Sequence, residues 1–236
     1  MLFFPTDPWI IILMLPALLL SLYAQHKVGS TFNKYTSVAS KKGMTGAEVA
    51  AQLLAAQGIR DVKIEAIPGH LTDHYDPRGK VVRLSDSVYN KRSLAAVGVA
   101  AHEVGHAIQH NHNYGPLAFR SGMFPMVNIG SKLSMPLLMI GLLLSSGGSG
   151  DIGMMMLYAG IIMFSVVVLF QIVTLPVEFN ASSRAITLLQ EQHILTESEA
   201  APAKKVLDAA ALTYVAAAIT ALLNLIRFIL LARNRR

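Results

Sequence analysis

Residues 102–106 read His102-Glu103-Val104-Gly105-His106, and the rest of the chain is organised around this stretch. In a helix, residues four apart lie on one face, so the two histidines can present their imidazoles to one zinc ion. The glutamate between them can act as general base toward a water molecule that the zinc activates. The pentapeptide therefore predicts a zinc hydrolase with these three side chains at its centre.

The flanks of the pentapeptide are small and apolar, and Glu103 is the only charged residue between positions 93 and 113. A buried charge without a partner is costly, so a lone carboxylate between two histidines in an apolar helix favours a metal site. The alternative is a helix with incidental histidines. The helix is predicted to begin near 91–93 and to end near 111.

The composition excludes an ordinary soluble domain. Of 236 residues, 53% are hydrophobic and 14% are charged, whereas charged residues average about 25% in soluble proteins. The net charge of +6 does not indicate nucleic-acid binding, because Lys and Arg lie between apolar blocks rather than on a basic face with aromatic residues. The chain has no cysteine, which excludes disulfides and thiolate ligands. We expect a membrane protein whose surroundings are the lipid bilayer.

Four apolar blocks lie at 8–24, 123–144, 152–176 and 209–231. The first is expected to be a retained anchor, because its flank lacks the positive start of a secretory signal. The second and third, joined by a Gly/Ser-rich link, are expected to form a transmembrane hairpin. The predicted order is an N-terminal anchor (1–24), a catalytic segment (25–122), the hairpin (123–176), a third-ligand helix with a polar segment (177–208) and a C-terminal transmembrane helix with a basic tail (209–236).

The polar segment ahead of the motif predicts a helix and three strands. Thr45 and Glu48 have the spacing of a capping box, and Gly58 is expected to end the helix that they start. Alternation at 62–67 predicts a strand, and Asp-Pro-Arg-Gly at 76–79 predicts a type I turn between strands near 71–75 and 80–85. The free edge of such a strand can hold an extended peptide at the metal, or the pair is an ordinary hairpin. Asp73, His74 and Asp76 are either a second metal site or, as we favour, solvated turn residues.

A catalytic zinc commonly takes three protein ligands and leaves one position open. Glu178 is the predicted third ligand, because a transmembrane hairpin returns the chain to the side of the histidines just before this residue. Arg184, about two helical turns on, can stabilise an oxyanion, or pair with Glu178 or a lipid phosphate. His110 lies on the face of His102 and either lines the cleft or, as we favour, is polar surface.

Lys and Arg bias predicts the orientation in the membrane. Residues 25–122 carry 12 Lys and Arg, whereas 1–7 and 145–151 carry none. The catalytic segment is therefore expected on the cytoplasmic side. The basic C-terminus conflicts with this orientation, because four crossings of the membrane would place it on the outer side.

Four stretches together resemble the neutral zinc metallopeptidase family of bacterial membranes; they lie at 71–78, 82–85, 97–107 and 175–182. The resemblance implies a membrane-bound zinc peptidase, with His102 and His106 as ligands and Glu103 as catalytic acid and base. More distantly, the layout is similar to heat-shock and CAAX-type membrane peptidases, where a hairpin separates the motif helix from a Glu-x-x-Ala-Asp helix. That pattern supports Glu178 as a ligand, whereas Ser182 stands where the pattern has Asp.

The predicted fold is a mainly α membrane protein, with a zincin-like catalytic unit and a small β-hairpin or sheet joined to about four transmembrane helices. The predicted function is a zinc-dependent endopeptidase with one catalytic Zn²⁺ and a protein or peptide substrate. Two other classes remain open. One is a non-catalytic, zinc-stabilised membrane assembly or chaperone factor, and the other is a transporter with a metal site in the membrane.

Overall fold

The computed structural model of the protein describes residues 10–145 and 150–234, and its contacts divide into two compact units. The expectations for 1–9, for most of the Gly/Ser link and for the last two arginines lie outside the described residues. In chain order the elements are a π-helical turn (Ile10–Met14), α1 (Leu15–Thr36), α2 (Gly46–Ala56), β1 (Lys63–Ile67), β2 (His74–Asp76), β3 (Val81–Ser85), α3 (Leu94–Asn111), α4 (Gly115–Ser145), α5 (Gly150–Glu191) and α6 (Glu197–Arg233).

One unit is apolar and comprises the described parts of Met1–Tyr23, Phe119–Leu175 and Tyr214–Arg236. Large apolar side chains are exposed on its helices, Phe124 and Ile162 among them. Four helices of the described chain are long and apolar enough to cross a membrane: Ile11–Thr36, Gly115–Ser145, Gly150–Glu191 and Glu197–Arg233. The predicted mainly α membrane fold with about four such helices and a small sheet is confirmed.

Within this unit, α4 and α5 pack closely against each other. A side chain at Gly130 would lie 2.9 Å from the carbonyl oxygen of Met163, and one at Gly160 would lie 2.8 Å from the side chain of Leu138. Gly130 lies beside Met163, and Leu138, further along α4, lies beside the earlier α5 residue Gly160. The two helices are therefore antiparallel. Glycine permits this approach because it has no Cβ. The predicted helical hairpin is therefore present.

The other unit, Ala24–Ala118 with Pro176–Thr213, has its own hydrophobic core around α3. Buried aliphatic side chains of α2, β3, α3 and the α5–α6 corner form this core. The Ser93 side chain accepts a hydrogen bond from the backbone N–H of Ala96 and so caps α3 where the sequence predicted its start. The predicted capping box of α2 is also present, with Thr45 and Glu48 each accepting from the backbone of the other.

The sheet has β3 in the middle, parallel to β1 and antiparallel to β2. The predicted hairpin is confirmed, whereas the parallel pairing with β1 was not predicted. The predicted strand at 71–75 is wrong in its extent, because β2 covers only His74–Asp76. Leu71 has a φ of 56°, and the Thr72 hydroxyl donates to the carbonyl of Pro68. These residues therefore form a turn that delays the strand.

Candidate metal centre

Helix α3 presents both histidines of the pentapeptide on one side. The rings of His102 and His106 lie edge to face, with centroids 4.7 Å apart. His106 is buried and His102 is partly exposed. The spacing of four residues has therefore placed two imidazoles side by side at the edge of the core, as the helical period requires.

Glu178 lies on α5 and reaches both imidazoles. Its Oε2 atom is 3.3 Å from Nε2 of His102 and 3.4 Å from Nε2 of His106. The side chain is 3% exposed, and one ligand atom from each of the three residues lies within 4.8 Å of the others. The structure thus brings together the three side chains that the sequence predicted as ligands, across more than 70 positions of chain.

These distances and donors fit a divalent metal. A hydrogen bond between a protonated imidazole and a carboxylate is about 2.7–2.9 Å long, shorter than either separation here. Two ligand atoms about 2.0–2.1 Å from a tetrahedral zinc lie about 3.4 Å apart, which agrees with both separations. Two imidazole nitrogens and one carboxylate oxygen are also a donor set of catalytic zinc. His102, His106 and Glu178 can therefore hold such an ion.

Glu103 is buried beside β2 rather than exposed to solvent. The nearby backbone N–H of Tyr75 in β2 favours the ionised carboxylate. Burial raises the pKa of the Glu103 carboxyl to about 7; the charges of Asp73 and Glu178 add to this rise, and His102 opposes it. A carboxyl of this pKa can accept and return a proton near neutral pH.

The outer nitrogen of each imidazole has a partner. Nδ1 of His102 lies 3.1 Å from the Ser182 hydroxyl, and Nδ1 of His106 lies 3.0 Å from Oε1 of Gln109. Such contacts orient metal-binding histidines. Sequence reasoning missed Gln109. Its signal was its position three residues after His106, about one turn along the same helix.

Arg184 and His110, the two candidates for oxyanion stabilisation, have partners of their own. Arg184 donates from Nε to Oδ1 of Asn180, and its guanidinium lies 6.0 Å from the ring centroid of Tyr114. His110 lies 2.8 Å through Nδ1 from the hydroxyl of Tyr75. Burial raises the pKa of that Tyr75 phenol to about 12. Neither residue belongs to the converging ligand group in the described chain, and an oxyanion role for either stays a prediction.

Asp73, His74 and Asp76, the residues considered for a second metal site, form hydrogen bonds with other protein groups. Asp73 accepts from the backbone N–H and the hydroxyl of Ser85. Asp76 accepts from two backbone N–H groups of its own turn and pairs with Arg83 at 3.1 Å. His74 contacts the Thr72 carbonyl through Nδ1. Protein donors thus engage both carboxylates, and the favoured interpretation, solvated turn residues, stays a prediction.

Gly105 sets the distance between α3 and α5 at the site. A Cβ at this position would lie 2.7 Å from the carbonyl oxygen of Ala181, closer than such atoms approach. Because a helical backbone cannot yield as a flexible side chain does, only glycine allows α5 this near to the histidines. At Gly98, two turns earlier, the nearest atom would be 3.6 Å away, an ordinary contact.

Comparisons with known proteins agree with this site. The family described as "Putative neutral zinc metallopeptidase" matches residues 10–233. The chain is 49% identical over 226 residues to a protein of Bacillus subtilis (strain 168) named "Putative membrane protease YugP", a match covering 96% of this chain and 97% of the relative. No solved structure matches the chain. Matches over nearly the whole length, together with the converging His, His and Glu side chains, establish that the chain belongs to this family of neutral zinc metallopeptidases.

Proposed function

We propose that the protein is a membrane-embedded zinc endopeptidase in which His102, His106 and Glu178 hold the zinc and Glu103 is the general base and acid. One observation supports this most strongly: three ligand atoms converge beside a buried carboxyl that is not one of them. A structural zinc closes its fourth position with a protein side chain, whereas a catalytic zinc keeps it open. The group found among the described residues has three members.

The chain's own residues account for the proton transfers of peptide hydrolysis. His102, His106 and Glu178 would hold a zinc ion, which would supply a Lewis acid for the scissile carbonyl and lower the pKa of a bound water. Glu103 accepts the proton that the attacking water loses as its oxygen bonds to the carbonyl carbon. When the carbon–nitrogen bond breaks, Glu103 gives that proton to the leaving amine, and the carboxylate is restored.

The substrate in this proposal is an extended peptide. In the described sheet, β2 is an edge strand, hydrogen-bonded only to β3. A peptide added at the free edge would gain main-chain hydrogen bonds without a requirement for one sequence. Tyr75 lies in β2, and its backbone N–H is close enough to Glu103 to favour the ionised carboxylate, so this strand is next to the proposed base. A peptide bound along β2 would therefore lie next to the Glu103 carboxyl, which must transfer a proton to the leaving nitrogen of that peptide.

The substitution Glu103→Gln tests the proposal. It keeps the size of the side chain and leaves the three ligands in place, so the purified protein should retain one zinc per chain. Hydrolysis of casein or of a membrane-protein substrate should fall by at least about 10²–10⁴-fold, the usual contribution of a general base.

Glu191→Gln is the matched control, because Glu191 is exposed at the end of α5. It should keep both zinc and activity. Wild-type turnover by the Glu103→Gln protein would refute the catalytic assignment. Stoichiometric zinc with no hydrolysis by wild-type protein over a broad substrate panel would instead favour the non-catalytic assembly factor.

We place the catalytic segment on the cytoplasmic side, on the strength of its 12 Lys and Arg residues. Because the sequence has no native cysteine, a thiol reagent would react only with a cysteine introduced by mutation. In intact cells, an impermeant thiol reagent should label Asp151→Cys near the hairpin link and should leave Asn90→Cys, exposed before α3, unlabelled. The reverse pattern would invert the orientation.

A further inference from the structure

Gln109 is a fully buried polar side chain that the mechanism above does not use. Every polar group of its amide has a partner. Oε1 lies 3.0 Å from Nδ1 of His106, while Nε2 donates to the carbonyl of Val177 at 2.8 Å and to Oδ1 of Asn180 at 3.0 Å. A glutamine with all its hydrogen bonds made in a core is held in one orientation.

The orientation of this amide follows from its neighbours. The backbone carbonyl of Val177 can only accept, so the atom of Gln109 beside it must be the NH₂ nitrogen. Arg184 can only donate, so the Asn180 atom that it contacts is the oxygen, which accepts from Gln109 as well. Both partners require Nε2 on that side, which leaves Oε1 facing His106.

An amide oxygen carries no hydrogen, and this fixes the proton on His106. Nδ1 must be the donor in its contact with Gln109. In the neutral imidazole with its proton on Nδ1, the lone pair is on Nε2. Nε2 is the atom that faces Glu178. Gln109 therefore selects the form of His106 that can bind a metal.

The partner of the other histidine makes no such selection. Nδ1 of His102 contacts the hydroxyl of Ser182, and a hydroxyl can donate or accept. Of the two contacts, only the one with Gln109 fixes a tautomer.

We propose that Gln109 is a positioning residue of the metal centre, locking the tautomer and direction of His106, and that Asn180 and Arg184 hold Gln109 in turn. The inference rests on the proposed function, because it takes His106 as a zinc ligand. It also gives Arg184 a place in the site that does not involve the oxyanion.

A competing view is that Gln109 only ties α3 to α5 through its donation to Val177 and Asn180. Two variants distinguish these views, because one removes the amide oxygen of Gln109 and the other removes its NH₂ group. Gln109→Leu keeps the volume and removes the acceptor for His106. Gln109→Glu keeps an acceptor for His106 and removes both donations. A positioning role needs the acceptor, whereas a structural tie needs the donors.

The measurement is the zinc affinity of the full-length protein in detergent, by competition with a chelator, with the melting temperature of each apoprotein recorded alongside. Gln109→Leu should bind zinc about 10–100-fold more weakly, the usual effect of removing a partner of a metal ligand. Gln109→Glu should bind zinc more tightly than Gln109→Leu, even where its apoprotein is less stable. Cobalt-substituted protein should show an altered visible spectrum for the Leu variant only.

Gln190→Leu, at an exposed position of α5, is the control and should match wild type in each measurement. Unchanged zinc affinity in Gln109→Leu would overturn the inference and leave the proposed function intact. So would a Gln109→Glu protein that binds zinc no better than the Leu variant. Wild-type protein that binds no zinc would overturn the proposed function and the inference together.

Discussion

Two polar clusters of the same compact unit use similar residues in different ways. The turn cluster, Asp73, His74 and Asp76, lies close together in sequence, whereas the site cluster, His102, His106 and Glu178, is assembled from two distant helices. In the turn cluster each carboxylate faces donors: backbone N–H groups, a hydroxyl or a guanidinium. A carboxylate so surrounded has little left to offer a cation.

In the site cluster, two imidazole nitrogens face one carboxylate oxygen. The nitrogens that face away from Glu178 contact Ser182 and Gln109, and the inner nitrogens meet Oε2 of Glu178 at 3.3 and 3.4 Å. Lone pairs that converge in a buried place are stabilised by a cation between them. The comparison teaches that the direction in which ligand atoms converge, more than the residue types, separates a candidate metal site from an ordinary turn.

The strongest test of this contrast removes one carboxylate from each cluster. Glu178→Ala should lose both zinc occupancy and peptidase activity, because two imidazoles alone fall short of the three protein ligands of catalytic zinc. Asp76→Ala should keep both. Zinc per chain after dialysis, measured by mass spectrometry, is the readout. A Glu178→Ala protein with one zinc per chain would show that the two clusters do not differ in the way described.

A smaller effect is expected from the spacing of α3 and α5. Gly105→Ala places a methyl group 2.7 Å from the Ala181 carbonyl, so α5 must move and carry Glu178 with it. Overpacking of this kind costs about 1–3 kcal/mol of stability. We expect a lower melting temperature and weaker zinc binding by chelator competition.

Gly98→Ala on the same helix is the matched control. Its methyl group would make an ordinary contact at 3.6 Å, and alanine favours a helix over glycine by about 1 kcal/mol. The variant should therefore keep its zinc and melt no lower than wild type. Equal zinc affinity in the two alanine variants would contradict the close approach of α5.

The smallest effect is expected within the turn cluster. Asp73→Asn keeps an acceptor for Ser85 and removes a charge that raises the pKa of Glu103. Zinc content should be unchanged, and the acid limb of the pH–activity profile should move to lower pH, since a Glu103 with a lower pKa stays ionised further into acid. A profile that does not move, or moves toward higher pH, would show that this charge does not act on the base.

Much of this arrangement could be predicted from sequence, because the signals were local or depended on composition. The capping box at Thr45 and Glu48, the start of α3 and the apolar blocks are examples. Glu178 could be placed near the histidines because a hairpin returns the chain to the side it left. The convergence of the three side chains, in contrast, needed the structure.

What was missed depends on long-range contacts or on backbone conformation. The parallel pairing of β1 with β3 joins strands that are not consecutive in the chain, and the turn signal at 76–79 predicts only the antiparallel pair that it connects. The late start of β2 follows from the left-handed backbone of Leu71. The position of Gln109 one turn after His106 does not reveal its role, because α5 brings its partners Val177 and Asn180 to it only in the fold. Its partners decide its role, and they lie about 70 residues away.

The most direct test of the account is X-ray absorption at the zinc edge of the purified full-length protein. We predict two imidazole nitrogens, from His102 and His106, and a carboxylate oxygen from Glu178. All three should lie about 2.0–2.2 Å from the metal, with the first shell completed by a light, non-protein ligand. A first shell of three or more imidazoles, or one without a carboxylate, would contradict the ligand set on which the proposed chemistry depends.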